Sequence, residues 1–153
     1  MSRRSAWIFD MDGTLHDVRA ARHHVTGPGP KRFDLFHQDA TGLPPNGWVV
    51  DLARNASADG HAVLVVTARR EMWRRPTAMW LALHDVPSDE LYMRHDHDHR
   101  RDVEVKRDIL ARIRQRFVVV GAVDDNPSVI ELWESEGIPT TVVPGWDDHL
   151  VRR

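Results

Sequence analysis

The segment AWIFDMDGTLHD (residues 6–17) runs a short apolar stretch directly into two aspartates one residue apart, followed by a Gly-Thr pair. A pair of carboxylates at the end of a buried strand repels itself and resists desolvation unless a cation or a reaction requires it. An extended backbone at Asp10 and Asp12 sends both side chains the same way. Gly13 permits a tight turn, and Thr14 adds a hydroxyl and an exposed amide. One carboxylate can then serve as nucleophile while its neighbour serves as general acid. The competing account is a loop rich in capping aspartates.

Outward from this segment, apolar runs alternate with amphipathic ones. Residues 7–9, 62–67, 117–123 and 140–143 read as strands, with 90–94 a weaker fifth; the last three of those four are rich in β-branched residues and read as buried on both faces. Helical periodicity covers 47–58, 72–84, 103–116 and 127–136. Asp102 is expected to N-cap the third helix, Asn126-Pro127 starts the fourth, and Gly60 and Gly137 stop the first and last. This alternation predicts an α/β fold, a Rossmann-like open parallel sheet with helices on both faces. Ligands of such sheets bind beyond the carboxyl ends of the strands. Those ends carry Asp10, Thr67, Arg94 and Asp124-Asp125. Residues 16–45, with glycines, prolines and histidines and no sustained period, read as a long loop or small flap over the strand ends. The expectation is one domain spanning residues 1–153.

The totals narrow the class. The chain has 153 residues, enough for one domain with a sizeable core. Charged residues at 29% and hydrophobic ones at 41% suit a globular protein, and the net charge of −2 makes it no general polyanion binder. It lacks cysteine, which removes disulfides, thiolate nucleophiles and Cys-ligated zinc from consideration. No apolar run approaches membrane-spanning length, and the start MSRRSAWIFD is too short for a signal peptide, so a cytoplasmic location without membrane attachment is expected. No G-x-x-x-x-G-K-[ST] loop is present, so a kinase half is not encoded here. The chain reads equally as a stand-alone enzyme or one module of a larger protein.

Four short segments together resemble the motif set of the haloacid dehalogenase (HAD) phosphatase superfamily: FDMDGTL (9–15), Thr67 ending VLVVT, Lys106 near the start of a helix, and VDDNP (123–127) after a strand. Within it, VVTARRE, RRDVEVKRDIL and VDDNPSVIELWESEGI are similar to segments of the 3′-phosphatase domain of phage polynucleotide kinase–phosphatases. The resemblance implies that Asp10 is the nucleophile forming an aspartyl-phosphate and Asp12 the acid that protonates the leaving oxygen and then activates water. It implies that Thr67 hydrogen-bonds phosphoryl oxygens and that Lys106 neutralises nucleophile and phosphate. Mg2+ would be held by Asp10, the Asp12 carbonyl and Asp125, with Asp124 in support. The narrower match adds Arg69 and Asp102 as substrate-site residues, and Arg94, Gly13 and Thr14 are further substrate-binding candidates. Elementary chemistry agrees, since phosphoryl transfer depends on positioning and charge neutralisation and hard oxygen ligands suit magnesium.

The implied function is a magnesium-dependent phosphatase acting on nucleic-acid 3′-phosphate ends, DNA or RNA, in end-healing, alongside a kinase or ligase module or partner. The alternatives are a HAD phosphatase of small phosphorylated metabolites or nucleotides and a non-catalytic scaffold module. Weaker signals surround this core. His95, His97 and His99 alternate in RHDHDHRRD (94–102), as a metal site or, preferably, a solvated loop, because zinc sites usually need a distant ligand pair. Arg19 and Arg22 are flap candidates for the substrate. Arg69-Arg70, Arg74-Arg75 and Arg100-Arg101 would make a basic rim or an ordinary arginine-rich surface. Trp7, Trp48, Trp80 and Trp133 read as core, whereas Trp73 and Trp146 could stack on a base.

Overall fold

The computed structural model describes residues 2–17 and 44–145. Arg19, Arg22 and Trp146, and nearly all of the expected flap at 16–45, lie outside the described residues. Five strands, β1 (Arg4–Phe9), β2 (Ala62–Arg70), β3 (Glu90–Arg94), β4 (Phe117–Asp124) and β5 (Thr140–Val142), form one parallel sheet in the order β3-β2-β1-β4-β5. The helices between them are α1 (Gly47–Ala58), α2 (Arg74–Leu83), α3 (Asp102–Ile113) and α4 (Pro127–Ser135), with a 3-10 turn at Glu71–Trp73 leading into α2. The expected open α/β sheet is therefore the observed one, and its strand order reverses between β1 and β4.

The two-residue period of the strands splits the core into two layers. Ala6, Ile8, Ala62, Leu64 and Val66 face α3 and α4, meeting Val105, Ile109, Ile113, Leu132 and Trp133. Phe9, Val63, Val65 and Val123 face the other way onto α1 and α2 through Val49, Ala53, Trp80 and Leu81. Helix α3 buries Asp102, Val105, Lys106, Ile109, Leu110 and Ile113, one continuous stripe at helical spacing, so Lys106 lies on the core-facing side. No helix among the described residues is long and apolar enough to cross a membrane.

Four expectations need correction. Asp102 is the first residue of α3 rather than its cap; Arg101 holds the cap position without a side-chain cap bond, because the Asp102 carboxylate is taken by Arg94. Trp48 is 45% exposed, since Val49, Val50, Ala53 and Ala56 supply the buried face of α1. Strand β5 is an edge, with Val142 exposed, and is not buried on both faces. Val118 of β4 is exposed as well. By contrast Asn126 caps α4 as read, its side chain accepting from Ser128 N at 3.0 Å with Pro127 at the first helical position. Gly60 (φ 90°) and Gly137 (φ 78°) close α1 and α4 in the left-handed region that glycine tolerates.

Gly121 of β4 lies opposite Trp7 of β1, and a Cβ there would come within 2.7 Å of the indole ring. Gly121→Ala is therefore expected to destabilise the fold by about 1–3 kcal/mol, the scale of overpacking. A lowered urea midpoint with an unchanged slope would show it.

Candidate active site

The site forms at the carboxyl end of the sheet, where the order reverses. Asp10 follows β1 directly and its N–H continues the ladder, donating to Val123 O at 3.0 Å. Asp124 ends β4 and Asp125 follows it. The carboxylates of Asp10, Asp124 and Asp125 converge, with one oxygen from each lying within 4.8 Å of the others, and all three residues are buried. Lys106 reaches in from α3 and donates to Asp10 Oδ1 at 2.8 Å and Asp124 Oδ2 at 3.0 Å. Trp133 Nε1 approaches the same Asp124 oxygen at 3.4 Å, while Asp124 Oδ1 accepts the N–H groups of Asp125 (2.9 Å) and Asn126 (3.1 Å). Asp124 is thus fully engaged and orients both Lys106 and the Asp125 backbone. Burial and the negative charge of Asp10 push its carboxyl above the ordinary carboxylate range, with Lys106 opposing them.

Three carboxylates against one ammonium leave an excess of negative charge in a buried space. The hydroxyl of Thr14 stands 3.1 Å from Asp10 Oδ2 and 3.2 Å from Asp125 Oδ1, and its single proton cannot serve both fully. An all-oxygen donor set of this charge fits a hard divalent cation. Asp10 and Asp125, the pair on which the metal reading depended, do converge. Asp12 does not join them through its carboxylate, which leaves its backbone carbonyl as the ligand implied by the resemblance.

The Asp12 carboxylate belongs to a second cluster, with Arg69 and His16. Arg69 Nε donates to Asp12 Oδ2 at 2.8 Å and Arg69 Nη2 to Oδ1 at 2.5 Å, a fork in which both carboxylate oxygens act as acceptors. Arg69 Nη1 donates to Thr77 Oγ1 of α2 at 3.0 Å. Thr67 and Arg69 lie where the β2–β3 register shifts between Val66 and Arg70, and Arg69 there reaches Thr77 of α2. Thr67 is buried at the strand end, its hydroxyl accepting from Arg69 N at 3.2 Å.

Sequence reasoning missed His16, which it assigned to the flap. The residue is fully buried, with Nδ1 3.5 Å from Asp12 Oδ1 and 3.4 Å from Arg69 Nη2, and its ring meets Trp80 edge-on at 4.6 Å. Its only sequence signal is a separation of four residues from Asp12. Asp17 N donates to Pro44 O at 3.1 Å and Asn46 N to Leu15 O at 2.8 Å, which ties the segment after Asp12 to the start of α1.

The remaining candidates are engaged within the protein. Thr14 is buried and its amide donates to Met11 O, so neither its hydroxyl nor its N–H is presented outward. Gly13 (φ 82°) makes the turn, and its N–H donates to His16 O. Arg94 engages all three guanidinium nitrogens internally: with Ala68 O, with Asp98 O and Arg100 O, and with Asp102 Oδ1 at 2.7 Å. Arg94 and Asp102 therefore fasten the 95–101 loop to β2 and α3. That loop holds His95 and His97 with ring centroids 5.7 Å apart, and among the described residues no histidine joins a metal-competent group. The basic rim is thinner than the arginine pairs suggested, because Arg74 pairs with Glu71 and Arg100 with Asp98 and Asp108.

Comparison with known proteins agrees with this geometry. A family model described as the polynucleotide kinase PNKP phosphatase domain matches residues 4–145. A putative bifunctional polynucleotide kinase/RNA ligase of Autographa californica nuclear polyhedrosis virus is 30% identical over 87 residues, which are 54% of this chain and 12% of that protein. A chain in the solved Pnkp1/Rnl/Hen1 RNA repair complex is 27% identical, with a TM-score of 0.77 over 92% of this chain and 42% of that one. The chain thus spans less than half the length of both. A haloacid dehalogenase-like hydrolase from Streptococcus pneumoniae shares the fold at 14% identity, with a TM-score of 0.63 over 91% of this chain and 84% of that one.

Proposed function

The chain belongs to the polynucleotide kinase PNKP phosphatase domain family, which makes it a phosphoric monoester hydrolase of HAD type, and from that premise we propose that it removes 3′-phosphates from nucleic-acid ends through an aspartyl-phosphate. The observation that carries the reading is the convergence of Asp10, Asp124 and Asp125 around Lys106 at the sheet's switch point.

In this mechanism an Asp10 oxygen attacks phosphorus while the bond to the 3′-oxygen breaks. Lys106, already on Asp10, offsets the charge that builds on nucleophile and phosphoryl group. Thr67 accepts from the Arg69 amide, which leaves its own proton for a phosphoryl oxygen. Asp12 delivers a proton to the leaving oxygen and then takes one from the water that hydrolyses the aspartyl-phosphate. The Arg69 fork matches the second half of that cycle, since it holds Asp12 with both oxygens as acceptors. Asp10, the Asp12 carbonyl and Asp125 would hold Mg2+, oriented by Asp124 and its bonds to the Asp125 and Asn126 amides. The bound cation would supply charge neutralisation for the crowded carboxylates and the phosphate.

A polymer end fits the surroundings on one side. A groove of about 700 Å³ beside Asp125 is lined by Glu131 and Glu134 and disfavours a polyanion. The opposite rim, around β2 and the turn at Glu71–Trp73, carries Arg70 and the exposed Arg75. By analogy with the viral kinase/ligase and the repair complex, the domain would work beside a kinase or ligase module or partner in end-healing.

The test is a substrate panel: a 3′-phosphorylated oligonucleotide, its 5′-phosphorylated isomer, a 3′-mononucleotide and a sugar phosphate, each with Mg2+ and with chelator. The 3′-phosphorylated oligonucleotide is expected to give the highest kcat/KM, to lose turnover on chelation and to weaken as salt rises. Equal rates across the panel, insensitive to salt, would overturn the assignment of a nucleic-acid end.

A further inference from the structure

The acid and base halves of the proposed cycle make opposite demands on Asp12. As a base it is a carboxylate, and the Arg69 fork suits it, with Nε donating to Oδ2 at 2.8 Å and Nη2 to Oδ1. As an acid it carries a proton on one oxygen and must turn that O–H away from the guanidinium, which only donates, toward the leaving oxygen. Arg69 then loses one acceptor inside a buried space, where an unmade hydrogen bond is costly. Its Nη1 is already on Thr77 Oγ1 at 3.0 Å. Its Nη2 has a second neighbour, His16 Nδ1 at 3.4 Å. A guanidinium nitrogen cannot accept, so Nδ1 is the acceptor in that contact. The imidazole is held in place for it. His16 N donates to Met11 O and His16 O accepts from Gly13 N, closing the turn that carries Asp12. Trp80 meets the ring edge-on at 4.6 Å, and the residue is fully buried.

Resting on the aspartyl-phosphate cycle of the proposed function, we propose that His16 is a positioning residue whose Nδ1 holds Arg69 Nη2 while Asp12 Oδ1 leaves the fork. Oδ1 is then the oxygen that carries the proton, because its partner nitrogen is the one with this second acceptor. In the first step the bond from Asp10 to phosphorus forms, the bond from phosphorus to the 3′-oxygen breaks, and the Oδ1 proton passes to that oxygen. Asp12 is left a carboxylate and re-enters the fork, ready to take a proton from the attacking water. Without Nδ1, release of Oδ1 strands a buried guanidinium N–H, and Asp12 stays on Arg69. His16 acts through Arg69 and not on the substrate.

The signature of this role is a dependence on the leaving group. Nitrophenolate departs without protonation, whereas the 3′-oxygen of a nucleotide needs the acid. His16→Leu removes the acceptor and keeps an apolar filling. Its kcat/KM on a 3′-phosphorylated oligonucleotide is expected to fall about 100-fold, the lower end of general-acid effects. The loss on p-nitrophenyl phosphate should be smaller by at least about tenfold, a difference that a merely structural defect would not produce. His16→Asn, whose side-chain oxygen can stand where Nδ1 does, should recover most of that difference. In an Arg69→Ala background His16→Leu should add little. No loss, equal losses on both substrates, an Asn variant no better than Leu, or full additivity with Arg69→Ala would each overturn this role alone. Asp12→Asn should show the same leaving-group dependence more strongly. If Asp12→Asn instead lost kcat/KM equally on both substrates, the acid role of Asp12 and the proposed cycle would fall with it.

Discussion

Asp10→Asn is expected to abolish turnover, by on the order of 10⁴-fold or more, the scale of losing a nucleophile, while leaving the fold intact. The amide oxygen cannot form the acyl phosphate, and neither Asp124 nor Asp12 is placed to take over. Asp124 is saturated by Lys106, Trp133 and two backbone amides, and both oxygens of Asp12 accept from Arg69. The fold should survive because Lys106 keeps its 3.0 Å contact with Asp124 and the crowded carboxylates lose one negative charge. Aryl phosphate turnover and a thermal melt check both halves. Residual activity above about 1% would remove Asp10 from the nucleophilic role.

The second large effect falls on activity and stability together. Lys106→Met should eliminate turnover and lower stability by about 3–5 kcal/mol, the cost of leaving a buried charge without its partner. The side chain is buried on the core stripe of α3, and methionine replaces its stem but not its ammonium. Asp124 then faces Asp10 with neither counter-charge nor solvent. For a chain of this length the melting temperature should fall by roughly 10 °C. Adding Asp124→Asn should restore most of the stability and none of the activity, a result that packing loss alone would not produce. The deficit should also depend on pH. A carboxyl raised in the folded state binds its proton more tightly there than in the unfolded chain, so stability falls as pH rises through that window. Lys106→Met should accordingly be weakest near neutrality and approach wild type as pH falls toward the carboxylate range.

Much of the site was legible because its residues sit where periodicities change. Asp10, Thr67 and Asp124-Asp125 each end an apolar run, and strand ends are where an open parallel sheet puts its ligands. Lys106 was legible from the HAD resemblance, and the 102, 105, 106, 109, 110, 113 stripe then explains why an ammonium is carried inward. Arg69 and Arg94 were read as substrate-binding candidates, without partners in the protein. In the structure both guanidinium groups are engaged, one on Asp12 and the other on Asp102 with backbone carbonyls. Arginine brings several donors in a fixed fork, and a one-dimensional reading cannot say which acceptors the fold will bring to it. His16 escaped for a related reason, since nothing in its immediate neighbours distinguishes it from the other histidines of its segment.

The sequence by itself determined the class of sheet, the order of its elements, the strand-end acids and the family, because these rest on periodicity and on motifs read along the chain. Which partners each of the two aspartates meets was decided only by tertiary structure. Asp10 turns toward α3, Lys106 and Asp125, and Asp12 toward Arg69, His16 and α2. Two carboxylates that look equivalent at a spacing of two are told apart by the side chains that the neighbouring strands and helices bring to each, some of them as much as 115 residues away in the chain.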